Sequence, residues 1–183
     1  MSWGKLLQPD LVLGNSILSL TSGIIQKNQI KGLVLDVDDT LVPIRDSNTS
    51  PELSEWVEEI RTITSLWLVS NNLSQYRISR IAESLNIPYI AGAGKPSRRK
   101  LKKAVDAMNL PVEQVAMVGD RLFTDVLAGN RLGMFTILVE PISNNMDSEF
   151  PNYGVRSFEI WFSQLLGASL SMSSYRLMPG NKK

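Results

Sequence analysis

Asp36-Val37-Asp38-Asp39-Thr40 follows one apolar run, Gly32-Leu33-Val34-Leu35, and Gly119-Asp120 with Asp125 follows another, Val115-Ala116-Met117-Val118. Asp36 and Asp38 stand two apart, a spacing that aims both side chains the same way in extended chain. Carboxylates gathered at one place repel one another unless a cation lies among them, and hard carboxylate oxygens are what Mg²⁺ selects. The constellation implies a magnesium-dependent phosphoryl-transfer site, with Asp39 a turn residue rather than a ligand.

Such a site needs elements that carry two distant acidic stretches to one edge. Gly32 to Val37 has the length and apolar content of a buried parallel strand, whose carboxyl end is where open α/β sheets place ligands. Leu66-Trp67-Leu68-Val69, Pro88 to Ala91, Val115 to Val118 and Phe135 to Val139 read as four more strands. Between them, helices are expected from Ser50-Pro51-Glu52 onward (Leu53, Trp56, Val57, Ile60) and after a Ser74 cap (Ile78, Ile81, Ala82, Leu85). Two more are expected, from about Ser97 to Met108 and from Leu122 to Asn130. Strands alternating with helices predict an α/β three-layer Rossmann-like sandwich around a mainly parallel five-stranded sheet.

Composition narrows the chemistry. The 183 residues, 43% hydrophobic, suffice for one good core. The expected division is residues 1–30 as an apolar amino-terminal segment with a possible membrane-surface contact, 31–170 as the main domain and 171–183 as a flexible tail. A formal charge of +1 gives no global pull toward nucleic acid, which is not an expected partner. With no cysteine there are no disulfides or thiolate sites, which fits a reducing compartment. With no histidine there is no imidazole base, no Ser-His-Asp triad and no histidine-bound zinc, so carboxylates, Lys, Tyr and Ser/Thr must carry the chemistry. No apolar run reaches the roughly 18 residues of a membrane span, and Pro9, Asp10, Gly14 and Asn15 break Met1–Leu20 too often for a cleavable signal.

In order along the chain, Asp36-Val37-Asp38-Asp39-Thr40-Leu41, Ser70-Asn71, Lys95-Pro96 and Gly119-Asp120 with Asp125 resemble the four motifs of the haloacid dehalogenase (HAD) superfamily of phosphatases. A lone Ser-Asn or a lone Lys carries no weight; the ordered set, each member after a strand or before a helix, is specific. Ser70-Asn71-Asn72, Gly94-Lys95-Pro96 and Val118 to Val126, with Gly129 to Gly133 following, look like the capless branch that includes phosphatidylglycerophosphate phosphatases. That similarity covers about residues 5–145.

The resemblance implies Asp36 as nucleophile, Asp38 as acid and base, and Ser70, Asn71 and Lys95 as phosphate-binding groups. It implies Mg²⁺ held by Asp36, Asp38 (mainly through its backbone carbonyl), Asp120 and Asp125, the last directly or through water. The blander readings are an Asp-rich turn at 36–40, helix caps at Asp120 and Asp125, a strand-end turn residue at Ser70 and a solvated Lys95.

Family members with a cap insert it between the first and second motifs or between the second and third. Here those intervals hold only a helix and a strand each, so no cap domain is expected and the open site favours a phosphate carried on something large. Six basic residues between Lys95 and Lys103 (Lys95, Arg98, Arg99, Lys100, Lys102, Lys103) crowd a helix start, where the macrodipole disfavours cations. An anionic membrane surface would compensate them, as would plain solvation with partial pairing to Asp106 or Glu113. The apolar start, and Phe158, Ile160, Trp161, Phe162, Leu165 and Leu166, are either core stripes or interfacial helices.

The leading expectation is a cytoplasmic, peripherally membrane-associated phosphatase that converts phosphatidylglycerophosphate, a phosphorylated lipid, to phosphatidylglycerol in phospholipid biosynthesis. The alternatives are a capless phosphatase acting on nucleic-acid ends or phosphoproteins, and a non-catalytic module that keeps the fold. Oligomeric state is not legible in the residues.

Overall fold

All four residues of β2 (Gly32–Leu35) are buried, which places this strand at the centre of the sheet. The computed structural model describes residues 3–142. The elements before β2 are α1 (Trp3–Leu6), β1 (Leu11–Val12) and α2 (Ser22–Lys27). After it come α3 (Pro51–Arg61), β3 (Ser65–Val69), α4 (Gln75–Leu85), β4 (Tyr89–Ile90), α5 (Arg99–Met108), β5 (Val115–Gly119), α6 (Leu127–Leu132) and β6 (Phe135–Leu138). The sheet order is β1-β6-β5-β2-β3-β4 with every pair parallel, a doubly wound Rossmann-like arrangement.

Strand alternation divides the core into two layers. Leu33 and Leu35 pack with Leu53, Trp56, Val57 and Ile60 of α3 and with Ile78, Ile81 and Leu85 of α4. Val34, facing the other way, packs with Leu101, Ala104 and Val105 of α5 and with Ala128 of α6. Local chemistry starts the helices as expected: Ser50 Oγ accepts from Leu53 N at 3.2 Å with Pro51 in the first turn, and Ser74 Oγ accepts from Arg77 N at 3.4 Å.

Among the described residues the sheet has six strands, one more than the five expected. The addition is β1, whose Leu11 and Val12 pair with Ile137 and Leu138 of β6. Two residues followed by Gly14-Asn15 have no readable period, and the partner strand lies more than a hundred residues away. Around β1 the amino-terminal apolar residues turn inward: Leu7, Leu11, Ile17, Leu20 and Ile25 are buried. Asp10 Oδ2 accepts from Thr136 N at 2.8 Å and Thr136 Oγ1 at 3.0 Å, Asn130 Nδ2 donates to the carbonyls of Leu6 and Gln8, and Trp56 Nε1 donates to Leu20 O.

Two helices also differ from expectation. α5 begins at Arg99 rather than near Ser97, and no side chain caps it. The stretch expected as one helix from Leu122 is a wide π-type turn, Leu122–Val126, running into α6. Between Asp38 and Ser70 lie only α3 and β3, and between Ser70 and Lys95 only α4 and β4, so the fold has no inserted cap there. The expected apolar stripe from Phe158 to Leu166 and the tail at 171–183 lie outside the described residues.

Candidate active site

β2 lies between β5 and β3, with Leu35 opposite Val118 on one side and Leu68 on the other, so three chains leave the same edge together. Asp36 N extends the ladder by donating to Val118 O at 2.9 Å, Asp120 follows β5 directly and Ser70 follows β3. The expected residues then fall into two adjoining groups.

The first is acidic and buried. One carboxylate oxygen from each of Asp36, Asp120 and Asp125 lies within 4.8 Å of the others. Lys95 Nζ reaches into this group, 2.6 Å from Asp36 Oδ1 and 2.7 Å from Asp125 Oδ1. Burial pushes Asp36 up to about 7, Lys95 pulling it back and Asp125 pushing further. Asp120 is pushed up to about 8, by burial and then by Asp125, Asp36 and Asp39. Burial would lower Lys95, but Asp125 and Asp36 outweigh it and hold the ammonium above its ordinary range. Three carboxylates against one ammonium leave a net negative site.

Asp125 is the clearest sign of what the group accommodates. Its Oδ1 is buried and pairs with Lys95 Nζ at 2.7 Å, an ammonium it shares with Asp36 Oδ1. Its Oδ2 accepts from Arg121 N at 3.2 Å, which aims the carboxyl inward. The π-type turn places it: both Asp125 N and Val126 N donate to Arg121 O. Gly119 leaves the space, since a Cβ there would overlap the Asp125 carboxyl group. Three clustered carboxylates with one ammonium between them fit a divalent cation such as Mg²⁺.

The second group surrounds Asp38. Ser70 Oγ donates to Asp38 Oδ2 at 3.0 Å, Asn72 Nδ2 lies 3.4 Å from Oδ1, and Arg77 Nη1 forms an ion pair with Oδ1. The Asp38 carboxylate therefore stands outside the acidic group. Asn71 does not point at either carboxylate cluster: its Oδ1 accepts from Lys95 N at 2.7 Å and its Nδ2 donates to Lys95 O at 3.0 Å, clamping the loop that delivers Lys95. Asp39 serves the turn, at φ 60°, with Oδ1 accepting from Ile44 N at 3.0 Å.

Three contributors escaped the sequence reading. Thr40 Oγ1 donates to Asp120 Oδ1 at 3.3 Å across 80 residues, and its place in the first motif was a signal within reach. Asn72, doubled with Asn71, was another. Arg77 had no signal, because an arginine in the first turn of an amphipathic helix reads as solvated.

The basic patch is largely engaged within the fold. Lys100 Nζ donates to Ala91 O and Gly92 O, Lys102 pairs with Asp106, Arg98 Nη1 donates to Arg131 O, and Lys95 is buried in the site.

Known proteins place this geometry. A family model described as HAD-hydrolase-like matches residues 92–142. The probable phosphatase YqeG of Bacillus subtilis is 38% identical over 142 residues, covering 77% of this chain and 81% of that one. The chloroplastic phosphatidylglycerophosphate phosphatase 1 of Chlamydomonas reinhardtii is 28% identical over 158 residues, covering 81% of this chain but only 59% of its own length. Among solved structures, a predicted HAD-like family hydrolase from Porphyromonas gingivalis superposes with a TM-score of 0.52 at 12% identity, over 77% of this chain and 100% of that one. A likeness that distant bears on the fold alone; the Bacillus relative bears on descent. Four ordered motifs meeting at one sheet edge, and 38% identity over 81% of the probable phosphatase YqeG, show that this chain belongs to the HAD superfamily of phosphatases.

Proposed function

We propose that the chain is a Mg²⁺-dependent phosphatase that hydrolyses a phosphate monoester through an aspartyl-phosphate on Asp36, with phosphatidylglycerophosphate as substrate and phosphatidylglycerol as product. The observation that carries the chemistry is the buried group of Asp36, Asp120, Asp125 and Lys95.

Asp36, Asp120 and Asp125 would hold the metal, with the Asp38 backbone carbonyl completing the protein's share. Bound there, Mg²⁺ supplies charge that keeps Asp36 ionised and offsets its repulsion of the phosphate dianion. An Asp36 oxygen attacks phosphorus while the bond to the lipid oxygen breaks, and Asp38 protonates the departing alkoxide. Asp38 then takes a proton from the water that attacks the aspartyl-phosphate, releasing inorganic phosphate and restoring Asp36. Lys95 neutralises charge on the phosphoryl oxygens, with the Ser70 hydroxyl and the Asn71 backbone amide as further donors.

The lipid assignment is supported by the uncapped edge and by the Chlamydomonas relative and a second from Arabidopsis thaliana, 25% identical over 66% of this chain, both named as phosphatidylglycerophosphate phosphatases. The chain spans 59% and 37% of those two proteins. Among the described residues no helix is long and apolar enough to cross a membrane, and a peripheral association suits a substrate presented at a lipid surface. Phosphate release from phosphatidylglycerophosphate in mixed micelles, with and without Mg²⁺, tests the reading. Good turnover of a soluble ester with none of the lipid would overturn the substrate, and activity on oligonucleotide termini would redirect it to nucleic-acid ends.

A further inference from the structure

Apolar side chains that stand in water need a reason, and the described residues hold four large ones that are well exposed: Leu18, Ile44, Leu73 and Tyr76. Three of the four lie at the catalytic edge. Leu73 is 85% exposed, Tyr76 73% and Ile44 50%. Leu73 and Tyr76 flank the Ser74 cap of α4, directly after the Ser70-Asn71-Asn72 stretch, and Ile44 sits in the loop that follows Asp36–Thr40.

Arg77 binds the two segments together. Its Nη2 donates to Pro43 O at 3.0 Å and its Nε to Asp46 O at 2.7 Å, on either side of Ile44, while Nη1 holds Asp38. Leu73 leans toward Gly92 and Lys100 on the opposite side, where Lys100 Nζ caps the carbonyls of Ala91 and Gly92. Ile44, Leu73 and Tyr76 therefore stand as an exposed rim on the two segments that Arg77 joins beside Asp38.

Two arginines stand beside this rim. Arg45 follows Ile44 and is exposed; Arg80, one turn beyond Tyr76, lies with its guanidinium 5.8 Å from the Tyr76 ring. Asp39, whose Oδ1 accepts from Ile44 N, and Asp46, whose Oδ1 accepts from Ser47 N and Asn48 N, are acids beside them, both held by backbone amides. Apolar side chains ringed by cations are the composition of an anionic-lipid interface: the former enter the acyl boundary and the latter meet phosphate headgroups.

From this placement we infer that the rim of Ile44, Leu73 and Tyr76, flanked by Arg45 and Arg80, is a docking surface for an anionic phospholipid bilayer that seats the reaction edge against the headgroups. The inference rests on the lipid reading of the substrate and adds where the membrane is met. It draws on the loops beside Asp38 rather than on the amino-terminal segment, where Leu7, Leu11, Ile17 and Leu20 are buried and Leu18 is the large apolar residue exposed.

The test uses the full chain and the triple variant Ile44→Ser, Leu73→Ser, Tyr76→Ser, with sedimentation on vesicles of phosphatidylcholine alone or mixed equally with phosphatidylglycerol. Wild type should bind the mixed vesicles, and the triple variant should bind them about tenfold or more weaker. Both should hydrolyse p-nitrophenyl phosphate at the same rate and melt at the same temperature. Arg45→Gln with Arg80→Gln should remove the preference for the anionic vesicles. Equal vesicle binding by wild type and triple variant would overturn the surface even if phosphatidylglycerophosphate in micelles is a good substrate. Tight vesicle binding lost in the variant, with no lipid turnover by wild type, would keep the surface and sink the substrate. A wild-type dimer that the triple variant loses, without vesicle binding, would give the rim to a second copy of the chain and overturn the proposal.

Discussion

Arg77 and Asp38, 39 residues apart in sequence, form an ion pair that ties the first turn of α4 to the loop carrying the first motif. The same guanidinium holds the carbonyls of Pro43 and Asp46, so one side chain sets both the direction of the Asp38 carboxylate and the path of its loop. A lysine has a single nitrogen and cannot span three acceptors. Arg77→Lys and Arg77→Ala should both lower kcat by about 10²-fold, the lower range for an acid–base group, with a smaller change in KM. Steady-state kinetics on a soluble ester, with thermal melting to confirm folding, checks this.

Asp36→Asn should abolish phosphate release while raising stability at pH 8 without metal. It removes one of three buried carboxylates that share a single ammonium, so the variant should melt higher than wild type in chelator. A lower melting temperature would mean that the Lys95–Asp36 pair outweighs the repulsion.

Without divalent cation, stability should fall as pH rises from about 4 to about 8. Asp36 and Asp120 start from 3.8 and are raised in the folded chain to about 7 and about 8, so the folded state binds more protons than the unfolded state across that interval. Their contribution is complete below 3.8 and is lost as pH climbs through the raised values. Mg²⁺ should therefore raise the melting temperature more at pH 8 than at pH 5. Scanning calorimetry in EDTA and in MgCl₂ at both pH values measures the difference.

Lys95→Met removes the one cation bonded into the buried group and should destabilise the metal-free protein by about 3–5 kcal/mol, as expected for breaking a buried pair from one side. Excess Mg²⁺ should recover much of that stability but not the activity, because the ammonium is also needed at the phosphoryl oxygens. Urea unfolding with and without Mg²⁺ separates the two roles.

Gly119→Ala should weaken metal binding with little effect on the rest of the fold, since the added methyl meets the Asp125 carboxyl group. Isothermal titration with Mg²⁺ should give a clearly higher Kd than wild type, and an unchanged value would remove Asp125 from the metal's surroundings.

Elements and chemistry were legible in the residues because both depend on short-range pattern. The continuous apolar runs at Leu33–Leu35 and Val115–Val118 fit buried strands, Ser50-Pro51 and Ser74 carry their own capping chemistry, and the ordered acidic motifs after those strands are those of the phosphatase family. Without histidine or cysteine the range of catalysts was already small. Tertiary structure decided the rest, because it turns on contacts between distant residues that no local period encodes. β1 exists only because β6 offers it an edge; Asn71 holds the Lys95 loop; Thr40 meets Asp120; and Arg77, indistinguishable in sequence from a solvated arginine, closes on Asp38. Burial on folding is also what drives Asp36 and Asp120 upward and sets the Lys95 ammonium between Asp36 and Asp125, conditions the unfolded chain does not have.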